Sequence, residues 1–162
     1  MENKACSDTG PILHLYGISQ ISLLNIFSKI FISSCIKEEL LRHKIERLPK
    51  NVELQNINKD QVALLSERYS LDDGEASVIW MCKSFNIPIL LTDDLNAREV
   101  AKSLDITSVG TIGIIIRNFR EKKISREDAA RALKDIFDNS SLFITSQLIN
   151  NAIDEIKKFK QR

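Results

Sequence analysis

An α/β fold, with a mostly parallel sheet flanked by helices on both faces, follows from three features of this 162-residue chain. Short apolar runs such as Ile30-Phe31-Ile32 and Ile87-Pro88-Ile89-Leu90-Leu91 alternate with longer segments of helical periodicity, the order that builds parallel strands joined by helices. Two of the runs end in an acid directly before a helix, at Asp8 and at Asp93-Asp94. In open α/β sheets that strand edge is where ligands bind. The length is that of one domain able to bury a core, and neither an internal repeat nor a low-complexity linker interrupts it.

The elements follow in order. A strand near residues 3–7 leads to a helix that Pro11 can open, since its missing N–H is not needed in the first turn. Gly17 interrupts, and Ile18 to Phe27 reads as a second helical piece. The strand Ile30 to Ile32 precedes a helix capped by Ser33 or Ser34, and the charged loop from Lys44 to Lys50 precedes an edge strand within Val52 to Ile57. Helices are expected over Asn58 to Arg68 and Asp73 to Phe85, the second opened by the Asp72-Asp73 pair at the positive end of the dipole. Strand 87–92, helix 95–104 and a short strand from Ile106 to Val109 come next. Gly110-Thr111-Ile112-Gly113 opens a helix to about Lys122. Ser125 caps a charged helix to Phe137, with Asp128 three residues on where a capping box has Glu or Gln, and a last helix spans Ser146 to Phe159. Residues 1–124 are expected to form the main domain, and residues 125–162 a helical extension packed on it.

Composition excludes several classes. A net charge of +1 argues against binding nucleic acid by bulk charge. No apolar run approaches the roughly 18–20 residues of a membrane helix, and a secretory signal is not seen. Cys6, Cys35 and Cys82 lie unpatterned within apolar segments, as small buried thiols of a reducing compartment do, so a cytoplasmic location is expected. No Cys/His zinc spacing occurs, and His14 and His43 read as packing or surface residues.

The informative residues are acids on apolar scaffolding: Asp8, Glu39, Glu75 and the Asp93-Asp94 pair. A half-buried acid costs several kcal/mol unless it is paired, protonated or holding a cation. At about 100° per residue, Glu75 shares a helix face with Val78, Ile79 and Cys82. Glu39 flanks the stripe of Ile36 and Leu40, whereas Glu38 points towards solvent. Each acid has an ordinary reading too. Asp8 and the Asp93-Asp94 pair suit helix N-caps, Glu75 suits a first turn, and Glu39 suits a charged surface beside Lys37 and Arg42.

Neighbouring α/β designs do not fit. A phosphorylated receiver domain needs an acidic pair after its first strand and a Lys after its last, but Asp8 stands alone and Ser108-Val109-Gly110-Thr111 has no Lys. A phosphatase of the haloacid-dehalogenase type needs Asp-x-Asp, and Gly10 replaces the second Asp. No glycine-rich nucleotide loop is present.

The pattern that remains resembles the PIN domain, the nuclease fold of VapC-type toxins. The resemblance is carried by Ser7-Asp8-Thr9-Gly10-Pro11, Glu38-Glu39-Leu40, Gly74-Glu75-Ala76, Thr92-Asp93-Asp94-x-x-Ala97-Arg98 and Val109-Gly110-Thr111-x-Gly113. It spans about residues 3 to 120, and a prokaryotic PIN-like subfamily shows these motifs most fully. It implies metal-assisted phosphodiester hydrolysis with Mg²⁺ or Mn²⁺ as cofactor. Asp8, Glu39, Glu75 and Asp94 would be catalytic ligands, with Asp93 nearby as a further ligand. Thr9 and Thr92 would hold those carboxylates. Arg98 would contact a phosphate or pair with Asp94, and Thr111 would offer a helix N-terminus to a phosphate or merely cap its helix. The substrate implied is RNA and the partner implied is an antitoxin. A homodimer is expected to form through Ile12, Leu15, Ile18 and Ile21. A PIN fold that has lost activity and serves as a binding module is the other reading.

Overall fold

The computed structural model describes residues 3–160. Five strands, β1 (Lys4–Ser7), β2 (Lys29–Ile32), β3 (Val52–Leu54), β4 (Ile89–Leu91) and β5 (Thr107–Val109), form one parallel sheet in the order β3-β2-β1-β4-β5. Cys6 pairs with Phe31 on one side and Leu90 on the other, so β1 is central. The chain steps from β1 to β2 in one direction and from β4 to β5 in the other. Right-handed crossovers in opposite directions place the connecting helices α1 (Thr9–Gly17) and α5 (Leu95–Ser103) on opposite faces. A crevice therefore opens between the C-terminal ends of β1 and β4.

Local chemistry sets the element ends. Asp8 caps α1 by accepting from the Thr9 N–H, so the helix begins two residues before Pro11, which sits in the first turn where it donates to nothing. The piece expected after Gly17 is a short 3₁₀ helix, Ile21–Ile26, pinned by Asn118, whose buried amide donates to Leu23 and Ile114 carbonyls. Ser33 caps α2 (Ser34–Arg42), and Asn58 caps α3 (Lys59–Tyr69), which ends at Ser70 in the left-handed region. Asp72 and Glu75 form a reciprocal capping box on α4 (Asp73–Ser84). Gly110 opens α6 (Thr111–Arg120), while Ser125 and Thr145 cap α7 (Arg126–Asn139) and α8 (Ser146–Lys158).

The core is continuous across the chain. Ala5, Cys6, Ile30, Leu90 and Leu91 of the sheet pack with Ile12, Leu15, Ile36, Val78, Ile79, Ile114 and Ile115 of the helices. Ala129, Leu133, Ile136, Ile149 and Ile156 of α7 and α8 belong to the same cluster, and α7 touches both α6 and α1. Ile12 and Leu15 are fully buried and Ile18 nearly so within the single chain. The dimer face expected there is corrected: Ile12, Leu15 and Ile18 fill the chain's own interior and Ile21 packs half-buried against it, with α1 seated against the 3₁₀ helix Ile21–Ile26 and helices at 34–42, 111–120 and 126–139. Among the described residues, no helix is long and apolar enough to cross a membrane.

Leu133→Ala tests whether the C-terminal helices are part of the cooperative unit. Leu133 has no exposed surface, and its truncation should cost about 2–5 kcal/mol. In urea, the fluorescence transition of Trp80, which lies on α4, should move with the circular dichroism transition. A Trp80 transition left in place would show that α7 and α8 melt as a separate unit.

Candidate functional site

The crevice brings acids from four elements to one strand edge. Asp8, at the end of β1, accepts from the Thr9 N–H at 2.9 Å through Oδ1 and from the Thr92 hydroxyl at 3.0 Å through Oδ2. Its own N–H donates to the Leu91 carbonyl at 2.9 Å. The ends of β1 and β4 are thereby stitched together through both backbone and side chain. The Thr9 hydroxyl donates to Glu39 Oε2, which ties α2 to the start of α1. Glu39 is half-buried and Glu38 exposed, as the periodicity of α2 requires.

Gly74 allows α4 to approach this carboxylate. A Cβ there would stand 2.9 Å from Glu39 Oε1 and 3.3 Å from Ile36 Cδ1, so a side chain would displace the Glu39 carboxylate from this position. The contact is fixed from behind by the buried hydroxyls of Ser33 and Ser77, 2.7 Å apart, with Ser77 also donating to the Gly74 carbonyl. Glu75, in the next position, spends Oε2 on the Asp72 N–H at 3.1 Å. Its backbone N–H donates in return to Asp72 Oδ1 at 2.7 Å.

Three successive residues after β4 point to three different partners. The Thr92 hydroxyl donates to Asp8 and accepts from the Asp94 N–H. Asp94 caps α5, accepting from the Ala97 N–H at 2.8 Å, and is otherwise exposed. Asp93 turns away from both. Its Oδ1 accepts from the Thr111 N–H at 2.7 Å, and its Oδ2 accepts from the Thr111 hydroxyl at 2.6 Å and meets His14 Nδ1 at 2.8 Å. Two expectations are corrected here. Asp93 is not aimed at the acids as a further ligand, because both its oxygens are committed to α6 and α1. Thr111 is not open to a phosphate, because Asp93 already occupies the N-terminus of α6 and Thr111 is fully buried.

The electrostatics separate the two kinds of acid. Burial pushes Asp8 up from 3.8 to about 6; the Thr9 and Thr92 hydrogen bonds oppose this, and the Asp72 and Glu39 charges add to it. Burial likewise pushes Glu75 up from 4.5 to about 7, against its backbone hydrogen bond with Asp72 and with help from the Asp72, Asp94 and Asp8 charges. Burial would also raise Asp93, but the hydrogen bonds from His14 and Thr111 outweigh it and hold Asp93 below the usual carboxylate range. Asp8, Glu39, Asp72, Glu75 and Asp94 are thus linked by repulsion, while Asp93 is a satisfied structural anion. Among the described residues, no three His, Cys, Asp or Glu side chains stand close enough to form a ready-made coordination group.

A family model described as PIN domain matches residues 4–158. The chain belongs to the PIN domain family. The match runs through α7 and α8, well beyond residue 120, where the resemblance carried by the motifs ends. No curated protein matches the chain. PIN domains are commonly nucleases that use divalent metal ions, which fits a cluster of hard oxygen donors at a sheet edge.

Within this PIN domain, Asp72 and His14 do more than the cap and the packing residue that the sequence showed. Asp72 was visible only as a cap, although Asp-x-x-Glu at 72–75 is itself the capping-box spacing that brings its charge beside Glu75. His14 carried no local signal, because its partner lies 79 residues away. Arg98 is half-buried and leans over Gly110, where a Cβ would lie 2.8 Å from both Arg98 Nη1 and Asp93 Oδ1. Among the described residues it makes no ion pair with Asp94.

Two measurements check this division. Asp93→Ala should cost about 2–4 kcal/mol in urea unfolding, since it strands the buried N–H and hydroxyl of Thr111 together with His14, whereas Asp94→Ala should cost about 1 kcal/mol, a lost cap. Equal costs would deny Asp93 its role as a clamp. The second concerns pH, in EDTA. Between the ordinary values of 3.8 and 4.5 and the folded values of about 6 and 7, the native state binds more protons at Asp8 and Glu75 than the unfolded state does. Stability from these groups therefore falls as pH rises through that window and is lowest above it. Asp8→Asn should melt about 5 °C above wild type at pH 8, for roughly 2 kcal/mol of relieved repulsion and desolvation, and the gap should close towards pH 4. A variant that melts below wild type at pH 8 would mark Asp8 as a stabilising cap.

Proposed function

We propose that this PIN domain is a metal-dependent endoribonuclease that hydrolyses phosphodiester bonds in RNA, working as the toxin of a toxin–antitoxin pair. The observation that carries the reading is the enclosure of mutually repelling acids at the β1/β4 edge, where burial first and neighbouring charges second hold Asp8 and Glu75 well above their ordinary values. Evolution tolerates such an arrangement where function needs it, since like charges in a half-buried site cost stability.

The donor set fits a hard divalent cation in charge and in atom type. Asp8, Glu39, Glu75 and Asp94 would hold Mg²⁺ or Mn²⁺, with Asp8 central because it is the most enclosed of them. When bound, such an ion lowers the pKa of a water and polarises the phosphate. The chain's own residues prepare the site. Thr92 and the Thr9 N–H fix the Asp8 carboxylate, and Thr9 fixes Glu39. The capping box and Gly74 hold Glu75 at the rim. Arg98, one turn beyond Asp94 on α5, leans over Gly110 beside Asp93 and has no carboxylate ion pair among the described residues, so it would meet the phosphate of a substrate that runs past Asp94. Pairing of two copies belongs to this reading, through a surface other than Ile12, Leu15 and Ile18, and light scattering measures it.

The test is cleavage of single-stranded RNA by wild type, Asp8→Asn and Glu75→Gln, each with Mn²⁺ and with EDTA. Wild type should cut only with Mn²⁺, and each variant should lose roughly 100-fold or more. Cleavage that is equal in every lane would come from a contaminant. A wide RNA panel left uncut, with RNA or a protein still bound, would replace the enzyme by an inactive binding module of the same fold.

A further inference from the structure

The sheet ends at β5, and the backbone there is left open. Thr107 donates to the Pro88 carbonyl and the Val109 carbonyl accepts from Thr92, so residues 107 and 109 face β4. Strand alternation then turns the Ser108 N–H and C=O outward. Among the described residues neither group has a partner. The opposite edge is protected differently: β3 carries Glu53, paired with Lys29 at 3.1 Å, which places charge along the rim.

Two hollows meet at Ser108. One of about 980 Å³ lies between β5, α6 and the segment that joins α7 to α8, and one of about 660 Å³ lies on the α5 side. Both are lined by Leu95, Arg98 and Ser108. The larger has apolar walls of Val109, Ile112, Ile116, Leu142, Phe143 and Leu148. Phe143 is 93% exposed, Leu95 78% and Leu148 51%, an unusual amount of apolar surface around one cleft.

The charges of the groove indicate what completes it. Of the acids in the larger hollow, Glu155 pairs with Arg120 and Asp93 is bonded to His14 and Thr111, while Glu99, Lys102 and Asp105 line the smaller one. Arg117 pairs with Glu121. Arg98 alone among the groove's arginines has no hydrogen bond or ion pair to another described residue, yet it is half-buried at the junction of both hollows. A half-buried guanidinium without a partner suits an incoming carboxylate.

We propose that the β5 edge is a docking groove for an extended, acidic peptide segment of a partner protein. Main-chain hydrogen bonds to Ser108 would add a sixth strand to the sheet. Alternate apolar side chains would fill the walls around Phe143 and Leu148, and a carboxylate of the segment would meet Arg98. The open edge and the apolar walls do not depend on nuclease activity; Arg98 alone is shared with the phosphate contact proposed above.

The probe is a fluorescein-labelled peptide of four Val-Glu repeats, set against one of four Val-Lys repeats and against the acidic peptide with a central Pro. Anisotropy should report binding of the acidic peptide at about 100 µM or tighter, and the Ser108 amide should shift in ¹⁵N–¹H spectra. The other two peptides should bind at least tenfold more weakly. Ser108→Pro removes a donor that faces away from β4 and should weaken binding about tenfold with the melting temperature unchanged. Should that variant misfold, the exposed pair Phe143→Ser and Leu148→Ser serves in its place. Arg98→Gln should erase the preference for acid over base. The proposal is overturned if neither peptide binds, if the Lys peptide binds equally well, or if the surface variants change nothing. It is overturned equally if Ser108→Pro splits a dimer, which would make a second copy the occupant, or if single-stranded RNA, and not the peptide, shifts the Ser108 amide.

Discussion

The Asp93 carboxylate is the contact on which the geometry of the site rests. It is mostly buried, it satisfies the N-terminus of α6 through the N–H and hydroxyl of Thr111, and it meets His14 on α1. An anion at a helix N-terminus is stabilised by the dipole and by the unpaired N–H groups there, so one side chain locks β4, α6 and α1 together. With Asp93 turned inward, the extended backbone must turn the residues on either side of it elsewhere. Thr92 reaches Asp8 and Asp94 reaches the start of α5. The clamp and the candidate catalytic edge are therefore consequences of one three-residue alternation.

The acids of the crevice do two jobs, and the two compete. Asp8, Glu75 and Asp94 each stabilise a helix start, which accounts for their presence without any function. Capping alone, however, does not require the caps of three helices to point into one half-buried crevice. The raised values of Asp8 and Glu75 reflect enclosure first and convergence second: burial, with neighbouring charges, outweighs the hydrogen bonds that the caps supply. Asp93 is the internal control. It is about as enclosed as Asp8 but is held below its ordinary value, because its neighbours are donors and not acids.

The sequence carried the fold class and the positions of the acids because both are local signals. Strand runs, helix periodicity and a Glu on an apolar stripe can be read within a dozen residues. The orientation of Asp93 against Asp94 could not be read this way. Both follow the same strand, and what separates them is a contact with Thr111, 18 residues on, and with His14, 79 residues back. The apolar stripe Ile12, Leu15 and Ile18 was ambiguous for the same reason. An amphipathic stripe shows that a face is covered, but only tertiary packing shows by what. Asp72 hid behind a sufficient explanation, since a cap already accounted for it.

No motif in the sequence accounts for the C-terminal helices. Their inner faces are ordinary core: Leu133 and Ile136 of α7 and Ile156 of α8 are buried against the rest of the chain. Their outer contribution is the linking segment Leu142 to Ile144, with Phe143 almost wholly exposed beside an unpaired strand edge. Packing alone does not require that Phe: α7 and α8 would join as well through a polar turn. An exposed open edge bordered by large apolar side chains is what soluble proteins ordinarily avoid. Its retention is better explained by a surface that is covered when the protein works, and the family model spans residues 4–158, α7 and α8 included.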